Sequence, residues 1–367
     1  MESLGIIKQE FWQGRRVLVT GHTGFKGAWL TLWLQKLGAK VSGFSLGVPT
    51  EPSLFKILSW GEAITSFEGD IRDAALFSNI VEREQPEVVF HLAAQSLVRP
   101  SYEDPVGTFA TNVLGTVHML EAVRKANGVR AVINVTSDKC YENHEWPYAY
   151  RENDPFGGRD PYSCSKGCAE LVTAAYRSSF FSLAGPDQVG LASVRAGNVI
   201  GGGDWSAERL IPDCMRAFSR GEEVVIRNPA SVRPWQHVLE ALRGYMLLAQ
   251  QLYDTPMQFS EGYNFGPDTQ DARPVSFIVE QLCSTWGPSA KWRLVREGEG
   301  VHPHEATWLR LDSSLARCKL NWKPLLSLTE GLAWTAQWYR AFHEGASMTE
   351  VSLSQIEQIE SLEREKR

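Results

Sequence analysis

No stretch of this 367-residue chain approaches the roughly 20 consecutive apolar residues that a membrane-spanning helix needs. The opening residues, MESLGIIKQEFWQGRR, lack the apolar core of a secretion signal. A cytoplasmic protein without membrane attachment is therefore expected. Cysteine is sparse. Cys140, Cys164, Cys168, Cys214, Cys283 and Cys318 form no CxxC pair, and no histidine cluster joins them. Reduced thiols and no metal site are expected. Excess positive charge is also missing: 37 Lys and Arg stand against 43 Asp and Glu, a formal net charge of -6. No bulk basic field favours nucleic acid or an anionic membrane, so an anionic substrate needs local Arg and Lys. The chain shows no internal repeat and no low-complexity linker.

What is present is ordinary globular material, 43% hydrophobic and 22% charged, enough for a large core. The first half alternates β-branched runs with helical ones. RRVLVT (15–20), AKVSGFSL (39–46), AITSFEGD (63–70), PEVVFHLAA (86–94) and VRAVINVT (129–136) read as strands. FKGAWLTLWLQKLG (25–38), DAALFSNIVEREQ (73–85) and VGTFATNVLGTVHMLEAVRKAN (106–127) carry apolar residues at helical spacing. This rhythm predicts an α/β fold, a parallel sheet covered by helices on both faces. The second half is less regular and predicts a smaller α/β lobe. The expected division is a dinucleotide-binding domain over 1–195, to which the chain returns around 230–262. A substrate lobe occupies mainly 196–345. The segment 346–367 is expected to be a charged helical tail, either solvated or in an oligomer contact.

VLVTGHTGFKGAWL sets Gly21, Gly24 and Gly27 between a strand and a helix, with Thr23 inside the loop. Glycines there let the backbone approach a pyrophosphate, and the helix adds free N–H groups and the positive end of its dipole. The spacing is GxxGxxG, not the GxGxxG of common dehydrogenases, but with the strand before and the helix after it points to a Rossmann-type doubly wound sheet. The acid that commonly binds a ribose hydroxyl after the second strand is missing, and Ser45 stands in its place. That position leaves NAD and NADP both open. Asp70, followed by Ile71, is a candidate adenine contact or a helix cap for the segment starting near Asp73.

DPYSCSKGCAELVTAAY places Tyr162 and Lys166 four residues apart, on one helix face. A phenol near an ammonium and a cationic nicotinamide is expected to titrate below its usual pKa of about 10. Such a tyrosine can take the proton of an alcohol during oxidation. NVTSDKCYEN adds a hydroxyl, an acid and an amine at a strand end: Ser137, Asp138 and Lys139. Alcohol oxidation can use the hydroxyl, whereas the acid and the amine are surplus to it unless a second step exists; the alternative is a surface ion pair near the turn.

The chain resembles the extended short-chain dehydrogenase/reductase family through GHTGFKG, FHLAAQSLV, SDKCY, YSCSK, YNFGP and LNWKP. The resemblance implies NAD as cofactor and Tyr162 with Lys166 as the redox pair. It implies that Leu92, Ala93 and Ala94 line the cofactor, and that Phe25 and Lys26 offer backbone N–H groups to its diphosphate. Sugar-nucleotide 4,6-dehydratases of this family carry a hydroxyl–acid–base triplet, Thr-Asp-Glu in the dTDP-glucose branch. Here it is Ser137-Asp138-Lys139, a departure that points within the branch to CDP-D-glucose. Oxidation at C4 acidifies the C5 proton, and an acid at C6 lets water leave. Asp138 is implied as that acid. Lys139 is either the C5 base or a charge stabilising the enolate. A C4 epimerase, or a dehydratase of dTDP-, GDP- or UDP-sugars, is the alternative.

The same resemblance assigns Gln95, Ser96, Asn198, Arg209, Arg233 and His304 to the sugar nucleotide. It implies a homo-oligomer, dimer or tetramer, joined by a four-helix bundle of segments near 106–126 and 161–180. It also implies a place in deoxysugar supply for surface polysaccharide such as lipopolysaccharide O-antigen.

Overall fold

The computed structural model describes residues 4–60, 64–182, 185, 188–296 and 306–366. Its first six strands are β1 (Arg16–Thr20), β2 (Lys40–Ser45), β3 (Ile64–Glu68), β4 (Val88–His91), β5 (Ala131–Val135) and β6 (Gly190–Ala196). Six more follow: β7 (Asn198–Ile200), β8 (Glu223–Ile226), β9 (Val232–His237), β10 (Gly262–Phe265), β11 (Ala272–Pro274) and β12 (Lys291–Leu294). Seven of them form one sheet in the order β10-β6-β5-β4-β1-β2-β3. Every neighbouring pair in it is parallel. This is the expected doubly wound architecture.

Strand burial follows position in that order. β4, β5 and β6 are buried along their whole length, whereas edge strand β3 is largely exposed. Alternate side chains go to opposite faces. Val17, Val19, Val88, Phe90 and Ile133 enter one apolar cluster, and Leu18, Val89 and Val132 enter the other. Helix Phe25–Lys36 and helix Val238–Asp254 cover the first face. Helices Ala74–Glu84 and Gly115–Lys125 cover the second.

The order reverses between β1 and β4, and ligands of open α/β sheets bind at the carboxyl ends beside such a switch point. The glycine loop after β1, the loop after β4 and the turn after β5 all lie on that edge. After β6 the chain builds a three-stranded sheet, β11-β9-β7, and a pair, β12-β8. Between β9 and β11 it returns through helix Val238–Asp254 to β10 in the main sheet.

Two segments differ from expectation. The helix expected over 106–127 is interrupted: Pro105–Phe109 passes through a wide π-type turn, Ala110–Leu114, into Gly115–Lys125. Buried Asn112 in that turn accepts from Gln95 N and donates to Gln95 O and Ser165 Oγ. The extra backbone width points its amide at the cleft loop.

The last segment is no free tail. Helix Met348–Glu365 buries Ser352, Ile356 and Ile359 against the first face. Glu360 pairs with Lys36 at 2.8 Å, and Trp338 Nε1 donates to Ser352 Oγ at 2.9 Å. Its apolar stripe is narrow, so a charged composition hid it. All six cysteines are free thiols.

Candidate active site

The glycine loop opens the site. Gly21 has φ +73° and presses on the β4 exit, where an added Cβ would lie 2.8 Å from Ala93 N. At Gly27 a Cβ would meet Gly21 O at 2.1 Å. These two glycines are demanded by the loop's own folding. Gly24 is different: the nearest atom to a Cβ there is Gly21 O, at 3.4 Å. The helix that Gly24 precedes has no side-chain cap, so its first N–H groups, from Phe25 onward, face the loop mouth. A glycine the protein does not itself require, before an uncapped helix, fits a dinucleotide diphosphate.

Around this loop the expected cofactor residues are close-set. Thr23 Oγ1 donates to Gly47 O at 2.8 Å. Ser45 at the end of β2 is held by His22 Nδ1 at 2.9 Å, and His22 Nε2 meets Ser66 Oγ at 2.7 Å. Burial drops His22 to about 4, so that chain is neutral. Leu92 N and Ala93 N donate to Thr20 Oγ1, each at 3.1 Å, and Ala94 follows half-buried. Asp70 grips Arg72, and the cap of the next helix is Asp73, whose side chain accepts from Leu76 N. Ile71 is buried against Gly115.

Helix Pro161–Tyr176 carries the tyrosine and its lysine. Asp160 caps it by accepting from Ser163 N at 2.9 Å, and Pro161 occupies its first position. Tyr162 and Lys166 are both buried. Lys166 Nζ donates to Val135 O at 3.2 Å. Desolvation pulls Lys166 down to about 8, partly opposed by the carboxylate of Glu170. For Tyr162, burial dominates in the protein alone. Burial raises it to about 12, while a hydrogen bond with Ser137 and the charge of Arg209 oppose the rise. The lysine alone does not bring the phenol toward neutrality.

The turn after β5 completes the centre. Ser137 Oγ donates to Asp138 Oδ1 at 3.0 Å. Asp138 is 3% exposed and its Oδ2 has no hydrogen-bond partner among the described residues. Burial raises its pKa against the pull of Lys139, Ser137 and Arg233. A carboxyl so placed is suited to holding a proton. Lys139 shares the short 3-10 turn, Asp138–Cys140, and is half-buried.

The residues expected at the substrate divide into groups. Arg209 pairs with Asp204 at 3.2 Å, and its charge is felt by both Tyr162 and Lys26. Arg233 on β9 donates to Val232 O at 2.9 Å, and its charge reaches Asp138. Asn198 begins β7 beside Trp235 of β9. Ser96 is exposed at the cleft loop. Gln95 turns its amide inward, donating to Leu97 O at 2.9 Å and Thr108 Oγ1 at 3.0 Å, so it shapes that loop. His304 lies outside the described residues.

Sequence reasoning gave Lys26 only a backbone part, yet its ammonium lies 6.0 Å from the Tyr245 ring and interacts with Asp138. Desolvation, with the charges of Lys166 and Arg209, brings it to about 7. No spacing rule reveals the direction of one side chain in a glycine loop. The Glu170–Arg195 ion pair was missed too, although an arginine inside the apolar strand GLASVRA is a readable signal that a buried acid must exist.

Residues 18–335 match the family model described as GDP-mannose 4,6 dehydratase. The chain is 55% identical to a CDP-glucose 4,6-dehydratase of Salmonella typhimurium, over 96% of this chain and 98% of that protein. A dTDP-glucose 4,6-dehydratase of Bacillus anthracis, solved in complex with NAD, superposes with a TM-score of 0.75. It has 22% identity and covers 92% of this chain and 100% of that one. MoeE5, solved with UDP-glucose and NAD, gives a TM-score of 0.72 at 26% identity, covering 89% and 99%. The chain belongs to the GDP-mannose 4,6 dehydratase family of extended short-chain dehydrogenase/reductase enzymes.

Proposed function

We propose that this protein dehydrates CDP-D-glucose to CDP-4-keto-6-deoxy-D-glucose with bound NAD, in an internal oxidation and reduction. The observation that carries the reading is Asp138: a buried carboxyl with a raised pKa and an unpartnered oxygen, joined by Ser137 to the redox tyrosine. Oxidation alone gives such an acid nothing to do. The 55% identity to a CDP-glucose 4,6-dehydratase supports the substrate.

In this reading Tyr162 takes the proton of the C4 hydroxyl, which Ser137 orients. Lys166 supports the phenolate. When bound, NAD supplies the hydride acceptor for C4, the hydride returned to C6, and the positive charge that lowers Tyr162. With C4 a ketone, the C5 proton is acidic. Lys139, on the turn beside Asp138, removes it. Asp138 protonates the C6 hydroxyl and water leaves; as C6 is reduced, C5 takes up a solvent-derived proton. Gly21, Thr23, Gly24, Phe25, Lys26 and Gly27 hold the cofactor diphosphate. Ser45, Asp70 and Ile71 flank the adenosine, and Leu92, Ala93 and Ala94 line the nicotinamide side. Arg209, Arg233 and Asn198 bind the substrate diphosphate and its nucleoside.

Residues 1–195, with the return near 230–262, act as the NAD-binding unit, and 196–345 mainly as the sugar-nucleotide lobe. Among the described residues no helix is long and apolar enough to cross a membrane, which supports a cytoplasmic enzyme. Val106, Leu114, Leu171 and Phe180 are 78%, 53%, 58% and 48% exposed, on the two helical segments expected to form a bundle. Apolar side chains so open are expected to face a second copy.

The test is incubation with CDP-glucose and catalytic NAD, without added reductant. The 4-keto-6-deoxy product is followed by its absorbance in base. Product from CDP-glucose is expected. No product from CDP-, dTDP-, UDP- or GDP-hexoses would overturn the reading, and a recovered C4 epimer would replace it.

A further inference from the structure

Behind the Asp138–Lys139 turn lies a buried ion pair that this chemistry does not use. Glu170 sits one helical turn beyond Lys166, and Arg195 projects from β6, with side chains 2% and 3% exposed. Arg195 Nε donates to Glu170 Oε1 and Nη2 to Oε2, each at 2.8 Å. Ser193 Oγ adds a third donor at 2.6 Å. Apolar residues of like volume join a helix to a strand at least as well as such a pair. Its outer contacts therefore carry the meaning.

Thr136, the residue before Ser137, donates its hydroxyl to Glu170 Oε1. Arg195 Nη1 donates to Tyr141 Oη at 2.6 Å, and Tyr141 is where the turn ends. Tyr141 Oη donates onward to Asn264 Oδ1 at 2.7 Å. The two ends of the Asp138–Lys139 turn are thus fastened to the two partners of one ion pair. The redox pair, on the same helix as Glu170, has further bonds of its own: Tyr162 N donates to Ser101 Oγ at 3.1 Å and Lys166 Nζ to Val135 O at 3.2 Å.

We propose that Glu170, Arg195 and Tyr141 are positioning residues for water elimination, setting where Asp138 and Lys139 stand against the sugar. The proposal rests on the dehydratase reading. Glu170 also acts electrostatically on Lys166, so its removal would disturb both steps. Tyr141→Phe is the clean variant. It removes one hydroxyl and keeps the Glu170–Arg195 contacts and the ring stacked 5.3 Å from Tyr150.

The experiment uses the full chain with NAD. In Tyr141→Phe, amide hydrogen exchange across 136–143 is expected to quicken about 10-fold while peptides over 161–176 stay unchanged. On mixing with CDP-glucose, the 340 nm absorbance change that reports C4 oxidation is expected within about threefold of wild type. Release of keto sugar is expected to slow about 10- to 100-fold, as a small misplacement of catalytic groups does. Equal slowing of both steps, no change in either, or loosening of 161–176 together with the turn would overturn the proposal. If wild type makes no keto sugar, the dehydratase reading fails instead, and the exchange arm still tests the tether.

Discussion

The two sides of the catalytic turn are built by different means. Tyr162 and Lys166 come from one helix, four residues apart, and helical geometry alone sets them on one face. Asp138 and Lys139 stand on a three-residue turn whose position depends on contacts with Glu170, Arg195 and Asn264, the last 123 residues beyond Tyr141. Local geometry makes the redox side robust to change elsewhere. Long-range tethers make the elimination side the more easily detuned. The two steps should therefore be separable by mutation.

The hardest break is at the redox side. Tyr162→Phe is expected to lower kcat by about 10³-fold, in line with loss of an acid–base group, with neither the 340 nm change nor keto sugar in a stopped-flow trace. Normal absorbance kinetics in that variant would remove Tyr162 from the first step.

A smaller effect is expected at the arginines, which in the proposed reading hold the substrate diphosphate through both steps. Arg209→Met and Arg233→Met should each raise KM about 10- to 100-fold, the worth of a charge-assisted hydrogen bond, with kcat nearly kept. A fall in kcat at unchanged KM would place these residues at the chemistry rather than the diphosphate.

The mildest test reads the scaffold beneath both sides. Burial holds His22 at about 4, His91 at about 3 and His237 at about 3. Each folded value lies below the unfolded one of about 6.5, so the unfolded chain binds more protons in acid. Their stability contribution is complete above about pH 6.5 and is lost progressively as pH falls below it. The urea midpoint should therefore be lower at pH 5.0 than at pH 7.5. Equal midpoints would show that these rings already titrate normally in the fold.

What the sequence made legible follows the same division. Strands β1 to β5, the glycine loop and the Tyr162–Lys166 pair are written in local periodicity and spacing. The Ser137–Asp138–Lys139 triplet was visible as a sequence, but not what holds it, because Tyr141 meets Arg195 and Asn264 only after the sheet has assembled. The inward turn of Lys26 was hidden for the same reason. Helix Met348–Glu365 read as a tail because few apolar residues suffice when Ile356 and Ile359 land in a preformed groove. A π-type turn at Ala110–Leu114 has no local signature, since its cause is the bond pattern of Asn112 across to the loop after β4.

The central claim is that oxidation at C4, loss of water and reduction at C6 occur on one bound sugar. CDP-glucose carrying deuterium at C4 tests it most directly, with the product analysed by NMR and mass spectrometry. The deuterium is expected at C6 of the 4-keto-6-deoxy product, and the C5 hydrogen is expected to come from solvent. Deuterium lost to the medium, or a product that keeps its original C5 hydrogen, would contradict it.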